Sequence, residues 1–530
     1  MRKTILSLGL LAALPLVAQQ SVHENIDLDV LNQIKAEAFQ NSQASEDVFY
    51  LSDVYGPRLT NSPNHRAAAE WVVQRLKGYG LQNVHLEKWG PFGQSWKRNS
   101  FSASLLEPSY SPLIGFPLAW SPSTNGLVTG EPILAPIHSE SDFEKYKGKL
   151  NGKIVLTSDP RTLELSAEPQ SHRLTETELD ARAITPDPSR LSSYGGPPRA
   201  GAPVAPPLDR AAALRLRNAI AKFLVEEGAV VVLQSGNIGD GGTVFGTSAG
   251  SQDVTAPLPP PTVALTPEHY NRIVRLLAHN VPVKLQFDIK TEFIKDDEYS
   301  FNVIGEIPGT TKKDEVVMLG GHLDSWVGGT GATDNATGAS VAIEAVRILA
   351  ALHKPLGRTV RIALWGGEEE GLLGSKAYVQ QHFAPRDTLK QTPEYSKLDA
   401  YFNDDNGSGR FRGISAGGNL LTKEIFETWS QPLKDLEFTA VTGATTPVLK
   451  EPAGTDHTSF TWIGLPGYGF TQDPLEYSTR THHSNMDVYD RVQPGGILQG
   501  AAIEAWFVYN TATRPDLLPR LPTPKPLPGK

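Results

Sequence analysis

From Asn302 onward, strand-like and helix-like segments alternate, and this alternation constrains the fold more than any other feature. "EVVMLGG", "RTVRIALWGG", "LDAYFND" and "PGYGFTQ" are short apolar runs of strand type. "ATGASVAIEAVRILAAL", a segment from about Gly371, and "AAIEAWFVYNTA" carry apolar residues at helical spacing. Strands alternating with helices bury both faces of a sheet, so the expected class is α/β with a mixed, largely parallel sheet flanked by helices. In open sheets of this kind, sites form beyond the carboxyl ends of the strands.

Each of the four strand runs is followed by a polar cluster. His322 and Asp324 come after the first, and Glu368, Glu369 and Glu370 after the second. Asp404 and Asp405 follow the third, and "THHSNMD", with His482, His483 and Asp487, follows the fourth. Asp334 stands just before a helix start, where the helix dipole favours a carboxylate. Taken singly, these residues have ordinary structural readings: a core histidine, a solvated helix start, a surface loop. Taken together, imidazoles and carboxylates converging from four strand ends make a donor set suited to zinc. The surrounding stretch, "GGHLDSWVGGTGATDNATG", is costly to order because it is rich in Gly and small residues. That cost calls for a functional reason.

The rest of the chain reads more plainly. Residues 24 to 86 look helical, with "HRAAAEWVVQRLKGYG" ending on a Gly stop. "NVHLEKW" and "RNSFSASLL" read as strands. From about Asn125 the texture changes to "GKIVLTSD", then helix, Gly stop and buried strand in "AAALRLRNAIAKFLVEEGAVVVLQSGN". "PPPTVALTPEHYNRIVRLLAHNVPVKLQFDI" adds a strand, a helix capped by Thr266 with Glu268 in its first turn, and another strand. Between them, residues 186–210 are Pro- and Gly-rich and read as a surface loop, with a lid as the functional alternative. The tail from residue 513 is Pro-rich and expected to be extended.

With 530 residues, more than one domain is expected. The net charge of −9 and the scattered basic residues set nucleic acid aside as a partner. Met1, Arg2 and Lys3, an apolar run and Ala18 form a signal-peptide pattern too short to span a bilayer comfortably. Export to a periplasmic or extracellular location follows, with no membrane attachment after cleavage. The absence of Cys excludes thiol catalysis, Cys-ligated zinc and disulfides.

"GGHLDSW…GATDN", "LWGGEEEG", "FNDDNG" and "HHSNMD" together resemble the four metal-site motifs of the co-catalytic di-zinc exopeptidases. "GPRLTNSP" (Gly56 to Pro63) is similar to the family's N-terminal part. The middle segment resembles an inserted, β-rich protease-associated domain. With the signal-peptide pattern taking 1–18, the resemblance implies a first peptidase part over 19–119. An inserted domain over 120–290, a metal-binding part over 291–512 and a tail over 513–530 complete the division.

It further implies two zinc ions. His322 and Asp405 would hold the first, with Asp404 as the alternative because "NDD" offers two acids. Glu369 and His483 would hold the second, and Asp334 would bridge both, with the Asp334–Asn335 peptide cis. Glu368 would be the general base acting on a metal-bridging water, and His482 an oxyanion stabiliser. Asp324 would accept from His322, and Asp487 from His483. The implied activity is hydrolysis of terminal peptide bonds in a peptide or dipeptide. Aminopeptidase is the first reading, and a carboxypeptidase or dipeptidase of the carboxypeptidase Q kind is the alternative. A single-zinc glutaminyl cyclase and a catalytically dead, receptor-like binding protein are further removed, because all five ligands and the base are retained. A homodimer is the expected protein partner to test.

Overall fold

A computed structural model of the chain describes residues 24–183, 210–236, 238–443 and 454–526. The signal-peptide segment and most of the 186–210 loop lie outside these residues.

The largest sheet has eight strands. Its centre is four parallel strands in the order Arg358–Trp365, Lys312–His322, Leu398–Asn403, Gly467–Gln472. Ser300–Ile307 pairs antiparallel on one flank and Gln82–Trp89 antiparallel beyond it. On the other flank, Phe411–Ser415 pairs antiparallel with Gly467–Gln472 and carries Ala440–Thr442. All four apolar runs therefore lie side by side and parallel, so the polar clusters after them share one edge.

Alternation along each strand sends side chains to two apolar layers. Val317, Leu319, Val360, Ile362, Leu364 and Phe402 join the larger core, under the helices Leu28–Gln40, Pro63–Gly78, Thr337–Ala351, Leu420–Ser430 and Pro494–Thr513. Met318, Ala363, Trp365 and Tyr401 face the opposite layer, which includes Tyr378 and Val379 of Leu373–His382 and Phe460 of His457–Thr461. The helix Thr337–Ala351 is buried over nearly its whole length. Its two buried charges, Glu344 and Arg347, pair with each other at 2.8 Å, and the helix packs against both the sheet and Pro494–Thr513.

Two smaller sheets lie between Ser95 and Ile294. One has four strands, in which Ser95–Glu107 pairs antiparallel with Lys284–Ile294 along their length. The other has five, with Pro132–Leu134, Ile154–Leu156, Val231–Ser235 and Thr262–Leu265 parallel and Gly115–Pro117 antiparallel at the edge. The strand containing "RNSFSASLL" thus joins a small sheet rather than the large one. Thr266 caps Pro267–Ala278 by accepting from the His269 N–H at 3.3 Å, while Glu268 accepts from Gly241 N–H instead.

The N-terminal helical reading is interrupted sooner than the pattern implied. Pro63–Gly78 ends the helix, and Gln82–Trp89 is already strand. The tail contains neither helix nor strand in its described part, but it is anchored: Leu518 is buried and its N–H donates to Asp399 at 2.7 Å. Among the described residues no helix is long and apolar enough to cross a membrane.

Phe507 is the aromatic centre of the larger core. Its ring meets those of Phe402, Phe426, Trp429, Phe438 and Phe470 at centroid distances of 5.3 to 6.2 Å. Phe507→Ala is expected to destabilise the protein by about 3–5 kcal/mol. Chemical denaturation followed by tryptophan fluorescence measures this, and a loss below about 1 kcal/mol would mean the core refills the space.

Candidate metal centre

The strand Lys312–His322 ends on His322, which is fully buried with its imidazole pointing past the sheet edge. Its Nδ1 lies 3.0 Å from the Asp324 backbone carbonyl and 3.6 Å from the Asp324 carboxylate. The carbonyl is therefore the nearer partner orienting the ring. The Asp324 carboxylate accepts from Thr60 Oγ1 at 2.8 Å and from the Glu368 and Glu369 backbone N–H groups at 3.3 Å each. This ties the first strand end to the second.

His322 Nε2 faces Asp334 Oδ1 at 3.3 Å and Asp405 Oδ1 at 3.2 Å. The other oxygen of Asp334, Oδ2, faces His483 Nε2 at 3.4 Å, and the same Nε2 stands 2.9 Å from Glu369 Oε2. One carboxylate thus divides its two oxygens between two histidine–acid pairs. His482 Nε2 lies further out, 3.8 Å from Asp334 Oδ2, with its ring stacked on His483 at 3.7 Å.

Several local devices hold Asp334 in place. Gly331 adopts φ 69°, and a Cβ there would fall 2.4 Å from Ser325. Arg58, fully buried, donates to the carbonyls of Leu51, Leu323, Thr330 and Gly331. The Asp334–Asn335 peptide is cis. Asn335 Nδ2 donates to the Asp404 carbonyl at 2.8 Å, joining this turn to the third strand end. Asp487 accepts from the Thr333 N–H at 2.6 Å and Oγ1 at 2.8 Å. This corrects the expected contact to His483: the carboxylate braces the turn before Asp334, and Thr333 supplies the nearer donors.

Asp404 and Asp405 diverge as neighbours on an extended chain must. Asp405 joins His322 and Asp334 in one group of convergent donor atoms; Asp404 is buried with neither carboxylate oxygen hydrogen-bonded. Behind them Trp365 Nε1 donates to Tyr401, whose hydroxyl donates to Asn403, fixing the strand end.

The donor set fits a divalent cation. Asp334 Oδ2 and Glu369 Oε1 are buried acceptors receiving no hydrogen bond, an arrangement that costs free energy unless a positive charge compensates. Burial pushes the Glu368, Glu369 and Glu370 carboxyls well above the ordinary range, with neighbouring acids adding to it. Burial opposes protonation of His322, but Asp405 and the hydrogen bonds to Asp324, Asp334 and Asp405 outweigh it and raise its pKa.

Residues 302–507 match the model of peptidase family M28. Over that stretch the chain is similar to this peptidase family. That match and the peptidase relatives support a hydrolase. Carboxypeptidase Q of Bos taurus is 28% identical over 90% of this chain and 87% of its own length. Aminopeptidase NAALADL1 of Mus musculus is 30% identical over 37% of this chain and 28% of its own. In fold, the chain resembles a peptidase M28 precursor from Shewanella amazonensis (TM-score 0.65, 24% identity, 93% of this chain and 99% of that one). It also resembles a zinc aminopeptidase from Bacillus subtilis (TM-score 0.53, 17% identity, 89% and 95%).

Some M28-site neighbours were not singled out from sequence. Arg58 and Thr60 lie in the quoted "GPRLTNSP", yet nothing in their spacing tells that they reach the metal-site turns. Asp456 is fully buried with both oxygens unpartnered, and burial raises its pKa to about 7.

Burial also raises Asp487 to about 7. Acids raised in this way keep a proton in the fold that the unfolded chain has released, so stability falls as pH rises through the window. His322, raised by its acids, acts in the same direction above its ordinary 6.5. His65, His457 and His482, lowered by burial to about 4, act oppositely but only below 6.5. Metal-free protein is therefore expected to lose thermal stability between pH 6.5 and 8. Added zinc should abolish that loss, because cation binding displaces the protons. Thermal unfolding with and without chelator across this range measures both.

Proposed function

We propose that the protein is an exported zinc exopeptidase with a two-ion centre. The observation that carries this is the division of Asp334, with Oδ1 toward His322 and Asp405 and Oδ2 toward His483 and Glu369. In this reading His322 and Asp405 hold one zinc, Glu369 and His483 the other, and Asp334 both. The Bacillus neighbour is named a zinc aminopeptidase, and the nitrogen and oxygen donors present suit that ion. Two such ions would acidify water and polarise a peptide carbonyl.

The chain's own groups supply the rest. Glu368 is the general base: it takes the proton from the attacking water and delivers it to the leaving amine. Its backbone is pinned by Asp324 at 3.3 Å, beside the Glu369 backbone held by the same carboxylate. His482, kept neutral near pH 7 by burial, would in this reading donate one N–H to the charge developing on the carbonyl oxygen. Asp324 acts through His322, and Asp487 through the Asp334 turn.

The segment 120–290 is read as a protease-associated insertion that narrows access, so that only chain ends enter. Its support is contact with the metal loop, where Gly246 N–H donates to the His483 carbonyl at 3.0 Å. Aminopeptidase is the leading specificity. A carboxypeptidase Q-like dipeptidase or carboxypeptidase is the second reading, favoured by that relative's match across 90% of the chain.

Glu368→Gln should retain zinc and lose activity by on the order of 10²–10⁴. Glu369→Gln should lose zinc directly, since a neutral amide is the poorer ligand. Metal analysis after dialysis and reconstitution, with assays on unblocked, N-blocked and C-amidated peptides and on dipeptides, reads both roles and the specificity. Zinc loss in Glu368→Gln with retention in Glu369→Gln would reverse the two assignments.

A further inference from the structure

The loop carrying His482 and His483 is held by the inserted lobe at both ends. Near its start, His172 and Leu475 form an antiparallel bridge, with N–O distances of 3.0 and 2.8 Å. Asp473 beside it is buried and accepts from Arg173 Nε at 2.8 Å and from the Leu174 N–H at 2.9 Å. Midway, Thr479 donates to the Gln170 carbonyl at 2.9 Å and Arg480 to Thr243 at 3.0 Å.

The contacts concentrate at the metal ligand itself. Phe245 and Ser484 form a second antiparallel bridge. Gly246 N–H donates to the His483 carbonyl at 3.0 Å, and Asn485 N–H donates to the Val244 carbonyl at 3.1 Å. The Asn485 side chain completes the seam: Oδ1 accepts from Val244 N–H at 2.7 Å and Nδ2 donates to the Gly242 carbonyl at 3.1 Å. Val244 is buried in a cluster with Phe116, Leu118 and Ala264. Phe116 and Ala264 face each other across two strands of the five-stranded sheet. The seam therefore runs from the lobe core to His483.

His483 is the residue that needs such support. Its φ is 62°, a left-handed conformation that a side chain with a Cβ disfavours. In a free loop the residue would relax to ordinary backbone angles and swing its ring away. The loop's own bonds, His482 N–H to Tyr477 and Ser484 N–H to Thr481, hold one side of it, and the lobe bonds at the His483 carbonyl and at Asn485 hold the other, in the conformation in which Nε2 meets Asp334 and Glu369.

We propose that the inserted lobe is a structural part of the second metal site, through the strip Gly242–Gly246, and that Asn485 is the positioning residue linking them. This rests on the reading of His483 as a metal ligand. The lobe then does more than screen the cleft: its docking sets the affinity of one ion of the two. An independent observation agrees in placement, because Trp326 lies edge-on to His483 at 6.1 Å and to Trp120 at 6.1 Å, on the same side.

The test uses full-length Asn485→Ala, with His483→Ala as reference and Asn485→Asp as the conservative variant. Chelator-treated proteins are titrated with zinc against a competing chelator, and amide hydrogen exchange is followed over residues 482–487. Asn485→Ala should bind one ion as the unaltered protein does and the second ~10–100-fold more weakly, the range for residues that orient a ligand. Exchange at the Asn485 amide should quicken. Asn485→Asp, which keeps the acceptor for Val244 and loses the donor to Gly242, should fall between. Should Asn485→Ala fail to fold, Val244→Ala, which loosens only the lobe anchor, decides the matter by the same selective weakening. Unchanged affinity at both ions, or equal weakening of both, overturns the proposal. Unchanged binding of both ions by His483→Ala would instead overturn the ligand assignment beneath it.

Discussion

One carboxylate has to face two histidine–acid pairs at once, and much of the surrounding structure serves that demand. The oxygens of Asp334 can be shared only if its backbone is fixed in both position and rotation. Arg58 fixes it from below through the carbonyls of Thr330 and Gly331, Asp487 from the side through Thr333, and Asn335 from the third strand end. None of these contacts is a metal ligand in the proposed scheme. The glycines and small residues of this stretch are explained by the same demand, since a Cβ at Gly331 or Gly338 would meet Ser325 or the Asp404 carbonyl at 2.4 and 2.3 Å.

The second consequence is electrostatic. Asp324, Asp334, Asp404, Asp456 and Asp487 are buried, with Glu368, Glu369 and Glu370 half-buried beside them, and Arg58 is a buried cation near Asp324, Asp334, Glu369 and Asp487. A group of carboxylates in low dielectric must hold protons or bind cations. The unpartnered Oδ2 of Asp334 faces His483, and Asp334 joins His322 and Asp405 on one side and His482 and His483 on the other, which is where the second solution is offered. Protons and metal ions then compete for the same atoms, and pH and metal content become linked variables.

A third consequence concerns domain architecture. The large sheet delivers His322, Glu369 and Asp405 from the ends of inner strands, each hydrogen-bonded on both sides and buried on both faces. His483 comes instead from a long loop after Gly467–Gln472, and a loop has no such support. Residues of the 120–290 segment pair with it at His172 and at Phe245. In the proposed reading, screening of the cleft and stiffening of the His483 loop would be functions of the same contact surface.

The sequence by itself determined the α/β class, because strand and helix periodicities alternate visibly after Asn302. It also put the polar clusters after four strands on one edge, because strand ends in a parallel sheet share an edge, while the family resemblance singled out His322, Asp334, Glu369, Asp405 and His483 among them. What it could not determine are contacts between segments far apart in the chain. Arg58 and Thr60 reach the site only because Pro63–Gly78 and the strand after it pack the N-terminal segment beside the first strand end. Asp487 turns to Thr333 rather than to His483 because two backbone and hydroxyl donors stand closer to it in the folded loop. The pairing of Ser95–Glu107 with Lys284–Ile294, and the grip of Val244 on Asn485, join residues more than a hundred positions apart. Periodicity and motif spacing are local quantities, whereas these contacts are decided by how the completed layers meet.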